Sequence, residues 1–284
     1  GNFAMTFGRG GAAGKNSTVL GRGTTGSSAS DSLASGQSVV TNINSAALGM
    51  SYASGADSFA AAIANNTSSY GAIGANSVAI GRQNKADGSY CVAVGGDSNL
   101  ADYSYSTAIG GFGNVANQPY ATTVGSFFAS SVIYGKEARA SGRFSSIGDA
   151  QRGGFVLRSD TTDATAEALT TNNATAAATN QVVLPNNSAY SFSGTIIARQ
   201  QAADGSNYAS WEIKGALLRD ANAASTVLGN GIVNKLFATA GASAWAIALT
   251  ADTTNGGLKI EATGAAATDI RWVATVNTSE VTYA

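Results

Sequence analysis

A short phrase keeps returning in this sequence. Ser77-Val-Ala-Ile-Gly81 comes back as Cys91-Val-Ala-Val-Gly95. A large apolar residue followed by glycine recurs at Phe7-Gly8, Leu20-Gly21, Leu48-Gly49, Ile73-Gly74, Ile80-Gly81, Val94-Gly95, Ile109-Gly110, Val124-Gly125, Tyr134-Gly135 and Ile147-Gly148. Ile63-Ala64 fits the series with its glycine replaced. Many of these glycines stand 13 to 15 residues apart, as 8 and 21, 81 and 95, 95 and 110, 110 and 125, and 135 and 148 do. Gly21 to Gly49 spans two such periods, and the spacing loosens around 64–81 and 125–135, where insertions or deletions are expected. A fixed short period is the mark of a solenoid, in which each repeat buries surface only against its neighbours.

The period has a physical reading. Strand residues alternate sides, so Val78 and Ile80 share one face and Ser77, Ala79 and Gly81 the other. The alternation predicts that the bulky face supplies the core and the small face admits a close neighbour. Glycine then turns the chain where a side chain would be strained. A weaker half-repeat follows, clearest as Gly135-Lys-Glu-Ala138-Arg-Ala140-Ser-Gly142. Two short strands and two turns per period make one coil of a narrow β-roll, too thin to bury much surface alone. Lateral packing against identical copies would remedy this, and a parallel homotrimer is the expected arrangement.

The composition narrows the function. Histidine is absent and Cys91 is the only cysteine, which removes Ser-His-Asp and Cys-His catalysis, imidazole zinc sites and intrachain disulfides. Cys91, flanked by apolar residues inside a repeat, reads as a small buried hydrophobe. The net charge is -1, with 8 basic and 7 acidic residues in 1–151 and 8 and 10 in 152–284. Neither half therefore carries the basic stripe of a nucleic-acid binder. No apolar run approaches the ~20 residues of a membrane span, and no segment reads as a signal peptide. The chain opens at Gly1 without Met, as a piece of a longer protein would. No metal and no cofactor is expected. Gly21-Arg-Gly-Thr-Thr-Gly26 satisfies G-x-G-x-x-G but continues into repeat text instead of opening a helix, so coil turns explain it. Gly14-Lys15 lacks the remaining residues of a phosphate loop.

The repeat stops near Gln151-Arg-Gly-Gly154, predicting a solenoid domain over 1–151 and a second domain over 152–284. Candidate strands there are Gly154–Arg158, Gln181–Leu184, Ala189–Arg199, Ala209–Leu218, Ile232–Thr239, Ala244–Thr250, Leu258–Ala262, Ile270–Val276 and Glu280–Tyr283. Asp204-Gly205, Asn230-Gly231 and Asn255-Gly256 are candidate turns, and Asp163–Leu169 a short helix. So many strands in so short a stretch predict a β-sandwich or jelly roll. Alternation places Trp211, Trp245 and Trp272 in its core. The aromatics outside such a phase are the better sugar platforms: Tyr103 and Tyr105 in a loop between coils, and Tyr208 beside Asp204 at a turn. Asp160 with Asp163, Asp97 with Asp102, and Glu137 with Asp149 are the carboxylate pairs a glycosidase could use, although acids in solvated turns are the default reading.

Two resemblances extend this reading. Ser77-Val-Ala-Ile-Gly81 and the Gly135–Gly142 phrase are similar to the head repeats of trimeric autotransporter adhesins, which implies a left-handed parallel β-roll over roughly residues 5–150. No heptads or barrel strands follow, so membrane insertion is not expected. Phe155–Ala164, Val183–Tyr190, Ala221–Ser225 and Ile270–Val276 resemble a C-terminal domain of bacteriophage tail fibres and tailspikes, over roughly 154–282. That resemblance implies a trimeric, extracellular virion protein that adsorbs to host cell-surface polysaccharide or lipopolysaccharide and joins other tail proteins through a preceding segment. The expected fold class is all-β, a short-repeat solenoid followed by a β-sandwich. The expected role is multivalent receptor binding rather than catalysis. A polysaccharide depolymerase is the alternative, with a bacterial adhesin head or a capsid decoration protein behind it.

Overall fold

The computed structural model describes residues 3–62, 69–201 and 207–283; Ile63-Ala64 and the Asp204-Gly205 turn lie outside the described residues. The chain is all-β and divides into two compact units, Gly1–Val132 with Arg139–Gly142, and Ile133–Ala138 with Arg143–Ala284.

The first unit is a β-solenoid. Each coil gives one long strand and one two-residue strand. The long strands, from Met5–Gly8 to Thr122–Phe127, pair in parallel in chain order. The short strands, from Gly11–Ala12 to Ser130–Ser131, form a nine-stranded sheet in the same order. Register carries like residues over like residues: Val78, Ala79 and Ile80 lie beside Val92, Ala93 and Val94, which lie beside Thr107, Ala108 and Ile109.

The core is made of small residues. Ala34, Ala47, Ala60, Ala79, Ala93 and Ala108 form one buried column on the long strands. Ala53, Ala72, Ala86, Ala101 and Ala116 form its counterpart on the short ones. A third column, Ser17, Ser32, Ser45, Ser58, Ser77, Cys91 and Ser106, is buried as well. Its hydroxyls donate to backbone carbonyls, as Ser77 Oγ does to Gly74 O at 2.6 Å. The expected facing is thus reversed: Val78 is half-buried, Ile80 is 36% exposed, and Ser77 and Ala79 point inward. The two sheets of a coil lie so close that nothing larger than a methyl or hydroxymethyl group fits between most of them, and bulk is pushed outward. Cys91 takes a serine position, with Sγ 3.3 Å from Ala101 O, and burial pushes its thiol pKa up to about 12.

Buried asparagines link the later coils. The Oδ1 atoms of Asn84, Asn99 and Asn114 accept the backbone N–H of Asn99, Asn114 and Ala129 at 3.0, 3.1 and 2.9 Å. Their amides donate to carbonyls such as Gly95 O and Ser126 O. Gly111 shows how tightly coils stack: it has a φ of +75°, and a Cβ there would lie 1.7 Å from Ser126 O.

The second unit is antiparallel. Ala150–Thr161, Ile270–Thr282, Ser188–Gln200, Tyr208–Arg219 and Val227–Ala238 form one sheet in that order. Gly257–Thr263 pairs with Glu167–Ala168, Val182–Val183 and Ala246–Asp252 in a smaller one. Buried residues from both sheets form one hydrophobic cluster. Trp211, Trp245 and Trp272 are at most 1% exposed, and the Trp272 ring lies 5.5 Å from Trp211 and 5.8 Å from Trp245.

Several local expectations change. Asp163–Leu169 is a bend and a short strand, not a helix, because Asp163 Oδ1 takes the Thr165 N–H at 2.6 Å and competes with helical bonding. Asn230-Gly231 lies inside a strand where Gly231 pairs with Gly215. Ile270–Thr282 is one strand, because Thr278 and Glu280 continue the buried alternation. Thr278 Oγ1 donates to Glu280 at 2.6 Å, and Glu280 also accepts from Lys136 Nζ and Gln151 Nε2, both at 2.7 Å.

Asp149 ties down a turn, accepting N–H bonds from Phe144, Ser145 and Ser146 at 2.9, 2.7 and 2.7 Å. Burial works to raise its pKa, but these bonds outweigh it and hold the carboxyl below the usual range. A depressed pKa contributes stability that is present above the unfolded value and lost as pH falls through the folded one. Acid titration of unfolding is therefore expected to show a loss at and below the ordinary carboxylate range that Asp149→Asn removes. In the solenoid, Ala108→Leu should cost about 1–3 kcal/mol by overpacking. Asn99→Ala should cost about 1–3 kcal/mol by orphaning the Asn114 N–H. Denaturant midpoints with unchanged slope would register both.

Candidate functional site

One turn of each coil holds a residue with positive φ. Down the solenoid these are Asn16, Asp31, Asn44, Asp57, Asn76, Tyr90, Tyr105 and Tyr120, with φ between 50° and 62°. The early part of the column is explained by local chemistry. Asn and Asp tolerate the left-handed region better than other L-residues. They also bond along the column, with Asn16 Nδ2 donating to Asp31 at 2.9 Å and Asn44 Nδ2 to Asp57 at 3.0 Å.

Tyrosine has no such excuse. A bulky side chain at positive φ costs on the order of 1–2 kcal/mol, and the chain accepts this three times running. The rings stack face to face: Tyr90 on Tyr105 at 5.1 Å and 4°, Tyr105 on Tyr120 at 5.0 Å and 5°. Each remains about half exposed, at 53%, 48% and 49%. The result is a half-exposed aromatic ladder whose rings follow one another at the coil spacing. Stacking covers the ring faces between coils, so what such a surface offers a sugar is a row of phenolic groups that hydrogen-bond to its hydroxyls.

Of the residues expected at a site, Tyr105 is the middle of this ladder. Tyr103 is in the same turn and 44% exposed; its carbonyl accepts Ser106 Oγ at 2.6 Å, and its backbone packs within van der Waals distance of Gly88. Tyr208 belongs to the second unit, 44% exposed and stacked on Phe237 at 5.0 Å. Asp204 lies outside the described residues. Tyr90 and Tyr120 were missed by the sequence reading, although they flank Tyr105 at the coil period of 15 residues, and that spacing alone could have found them.

All but Asp102 of the acids in the candidate carboxylate pairs have structural occupations. Asp97 pairs with Arg82 across adjacent coils, Asp149 and Asp163 hold turns, and Asp160 accepts Asn173 Nδ2 at 2.8 Å. Glu137 lies 3.4 Å from Arg152. Among the described residues, no group of three or more acidic or cysteine side chains could hold a metal. Gly21, Gly23 and Gly26 lie in a coil and its turn, not before a helix.

No protein-family description and no curated protein matches the sequence. Among solved structures, the tailspike protein gp49 of Acinetobacter baumannii bacteriophage Fri1, a capsular polysaccharide depolymerase, is 9% identical with a TM-score of 0.28. The alignment covers 93% of this chain and 48% of that one. The Acinetobacter phage vB_ApiP_P1 tailspike is 9% identical with a TM-score of 0.29, over 98% of this chain and 55% of that one. The tailspike of Acinetobacter baumannii phage AM24 is 7% identical with a TM-score of 0.24, over 98% and 54%. The chain spans about half the length of each of these tailspikes.

Proposed function

We propose that this chain is the receptor-binding part of a phage tailspike or tail fibre, adsorbing to cell-surface glycan through the tyrosine ladder. The observation that carries the reading is the placement of Tyr90, Tyr105 and Tyr120 at left-handed turn positions that five earlier coils fill with Asn or Asp. Strain held in place by a rigid surrounding is a feature of functional sites, and stacking of ~0.5–1.5 kcal/mol per pair offsets only part of it. The phage context is supported by the resemblance of residues 154–282 to tail-fibre C-terminal domains. The two antiparallel sheets with one core are read as the sandwich tip, with the domain boundary near residue 151.

The outward bulk supports a homotrimer. Phe7, Leu20, Ile80, Ile109, Phe112 and Phe127 are exposed on the long-strand sheet, where an identical neighbour would cover them. Three weak sites on one rigid trimer, and several trimers on one particle, raise avidity by roughly 10²–10⁴. A preceding segment would join other tail proteins.

A second reading, polysaccharide depolymerase, is favoured by a cleft in the second unit lined by Asp160, Glu167 and Glu261. Carboxyls there could serve as acid and base if they stand roughly 5–10 Å apart across a chain.

The purified chain is expected to be retained on immobilised host capsule or lipopolysaccharide. Tyr90→Ala/Tyr105→Ala/Tyr120→Ala should lose at least tenfold in retention while the far-ultraviolet circular dichroism at the assay temperature stays that of the parent chain, the lost stacking lowering the melting transition only modestly. Retention indifferent to the triple change would overturn the ladder's role, and reducing ends released during the incubation would favour the depolymerase. Light scattering in native buffer should give three times the mass of one chain; a monomer mass would sink the trimer.

A further inference from the structure

The antiparallel unit carries a cleft of about 410 Å³ bounded in part by Asp160, Glu167, Asn173, Lys259 and Glu261. A groove of about 250 Å³ shares Asp160 and Asn173 with it and continues past Arg158 and Arg271. Strand register explains the arrangement. Asp160 lies opposite Arg271, Arg271 opposite Arg199, and Arg199 opposite Tyr208, making one transverse row across four strands. Arg158 is two residues from Asp160 on the same face. At ~4.8 Å between strands, the row from Asp160 to Tyr208 spans roughly 14 Å, the reach of a short oligosaccharide. It ends on the exposed Tyr208–Phe237 stack.

The charges along this trough are unevenly satisfied. Asp160 is held by Asn173, Glu167 accepts Ser159 Oγ at 3.0 Å, and Glu261 pairs with Lys259 at 2.5 Å. Arg158 makes one long bond, Nη1 to Thr171 O at 3.4 Å. The Arg271 side chain forms no hydrogen bond or ion pair among the described residues. The acids are engaged, whereas Arg158 has only its one long bond and the Arg271 guanidinium none among the described residues, although the unit as a whole has no excess of positive charge. A guanidinium fork matches a carboxylate bidentately, whereas an isolated ammonium does not.

We propose that this trough binds an acidic oligosaccharide. The sugar carboxylate would sit on Arg158 and Arg271, hydroxyls on the Asp160–Asn173 pair, and a following ring on Tyr208 and Phe237. The proposal rests on the glycan-binding reading above and adds a second site with a defined substrate class.

The test is an array displaying hexuronate-, sialate- and pyruvate-bearing oligosaccharides beside neutral counterparts, probed with the full chain. The acidic set should be retained at least tenfold more strongly than the neutral set, and retention should fall with added salt. Arg158→Gln/Arg271→Gln should lose at least tenfold on the acidic set, and Arg271→Lys, which keeps the charge and the fold but not the fork, should lose part of it. Retention of acidic glycans by the triple tyrosine variant, lost in the double arginine variant, would support this site independently of the ladder. Equal retention of acidic and neutral sugars, or an unaffected double arginine variant, would overturn it and leave the ladder standing. Poly-glutamate competing as well as the acidic sugars would reduce the trough to an unspecific anion surface and overturn it too. Retention of no glycan at all would defeat this proposal together with the glycan-binding reading.

Discussion

The solenoid depends on how little space its two sheets leave between them. Alanine faces alanine across a coil, so each rung buries little apolar area, and hydrophobic burial at roughly 25 cal/mol per Å² cannot hold a single coil. Stability has to come from stacking, through parallel ladders, serine hydroxyls returned to backbone carbonyls, and the buried Asn84, Asn99 and Asn114 amides that join one coil to the next. Most of the larger apolar side chains are left outside. That is why the outer face is rich in exposed apolar side chains, and why the second unit, with three tryptophans in one cluster, has so different an interior.

The same thinness makes the turns carry the chain's variety. The interior positions are fixed by size, whereas the left-handed turn position is constrained only in its backbone. Asn and Asp satisfy it cheaply, and where three tyrosines replace them the cost is offset in part by a neighbour ring in the same conformation one coil away. Tyr105 alone would be a strained loop residue. With Tyr90 and Tyr120 it is the middle of a continuous surface, so in the proposed function the column acts as one unit.

The period, the parallel coils and the inward tryptophans were legible because they follow from spacing and alternation. The facing of the coils was not. Val78 and Ile80 are the more hydrophobic pair, and alternation marks two faces without saying which is inside; that is decided by the distance between sheets, a property of the closed coil. Asn230-Gly231 looked like a hairpin turn and proved to be mid-strand, because its glycine meets Gly215 across the pair. The ladder was half legible: Tyr105 stood out as a loop aromatic, but its partners emerge only when the repeats are aligned on the turn instead of on the apolar-glycine phrase. The trough on the second unit could not be read at all, since Asp160, Arg271, Arg199 and Tyr208 are brought into one row by pairings between distant strands.

The alanine columns have one more consequence. A solenoid whose interior is nearly the same at every level gives its own burial pattern no means of telling one coil from the next; a chain displaced by a whole turn would bury the same methyl groups. Apart from Val19 and Val40, which stand in the alanine columns, the marks that distinguish levels are peripheral or polar: Asn16 with Asp31, Asn44 with Asp57, Arg82 with Asp97, the asparagine run and the tyrosines. These side chains label the storeys of the shaft. A coil could be gained or lost between labels with little penalty to the fold, so the height at which the tyrosines stand is free to drift over evolutionary time while their mutual geometry is kept.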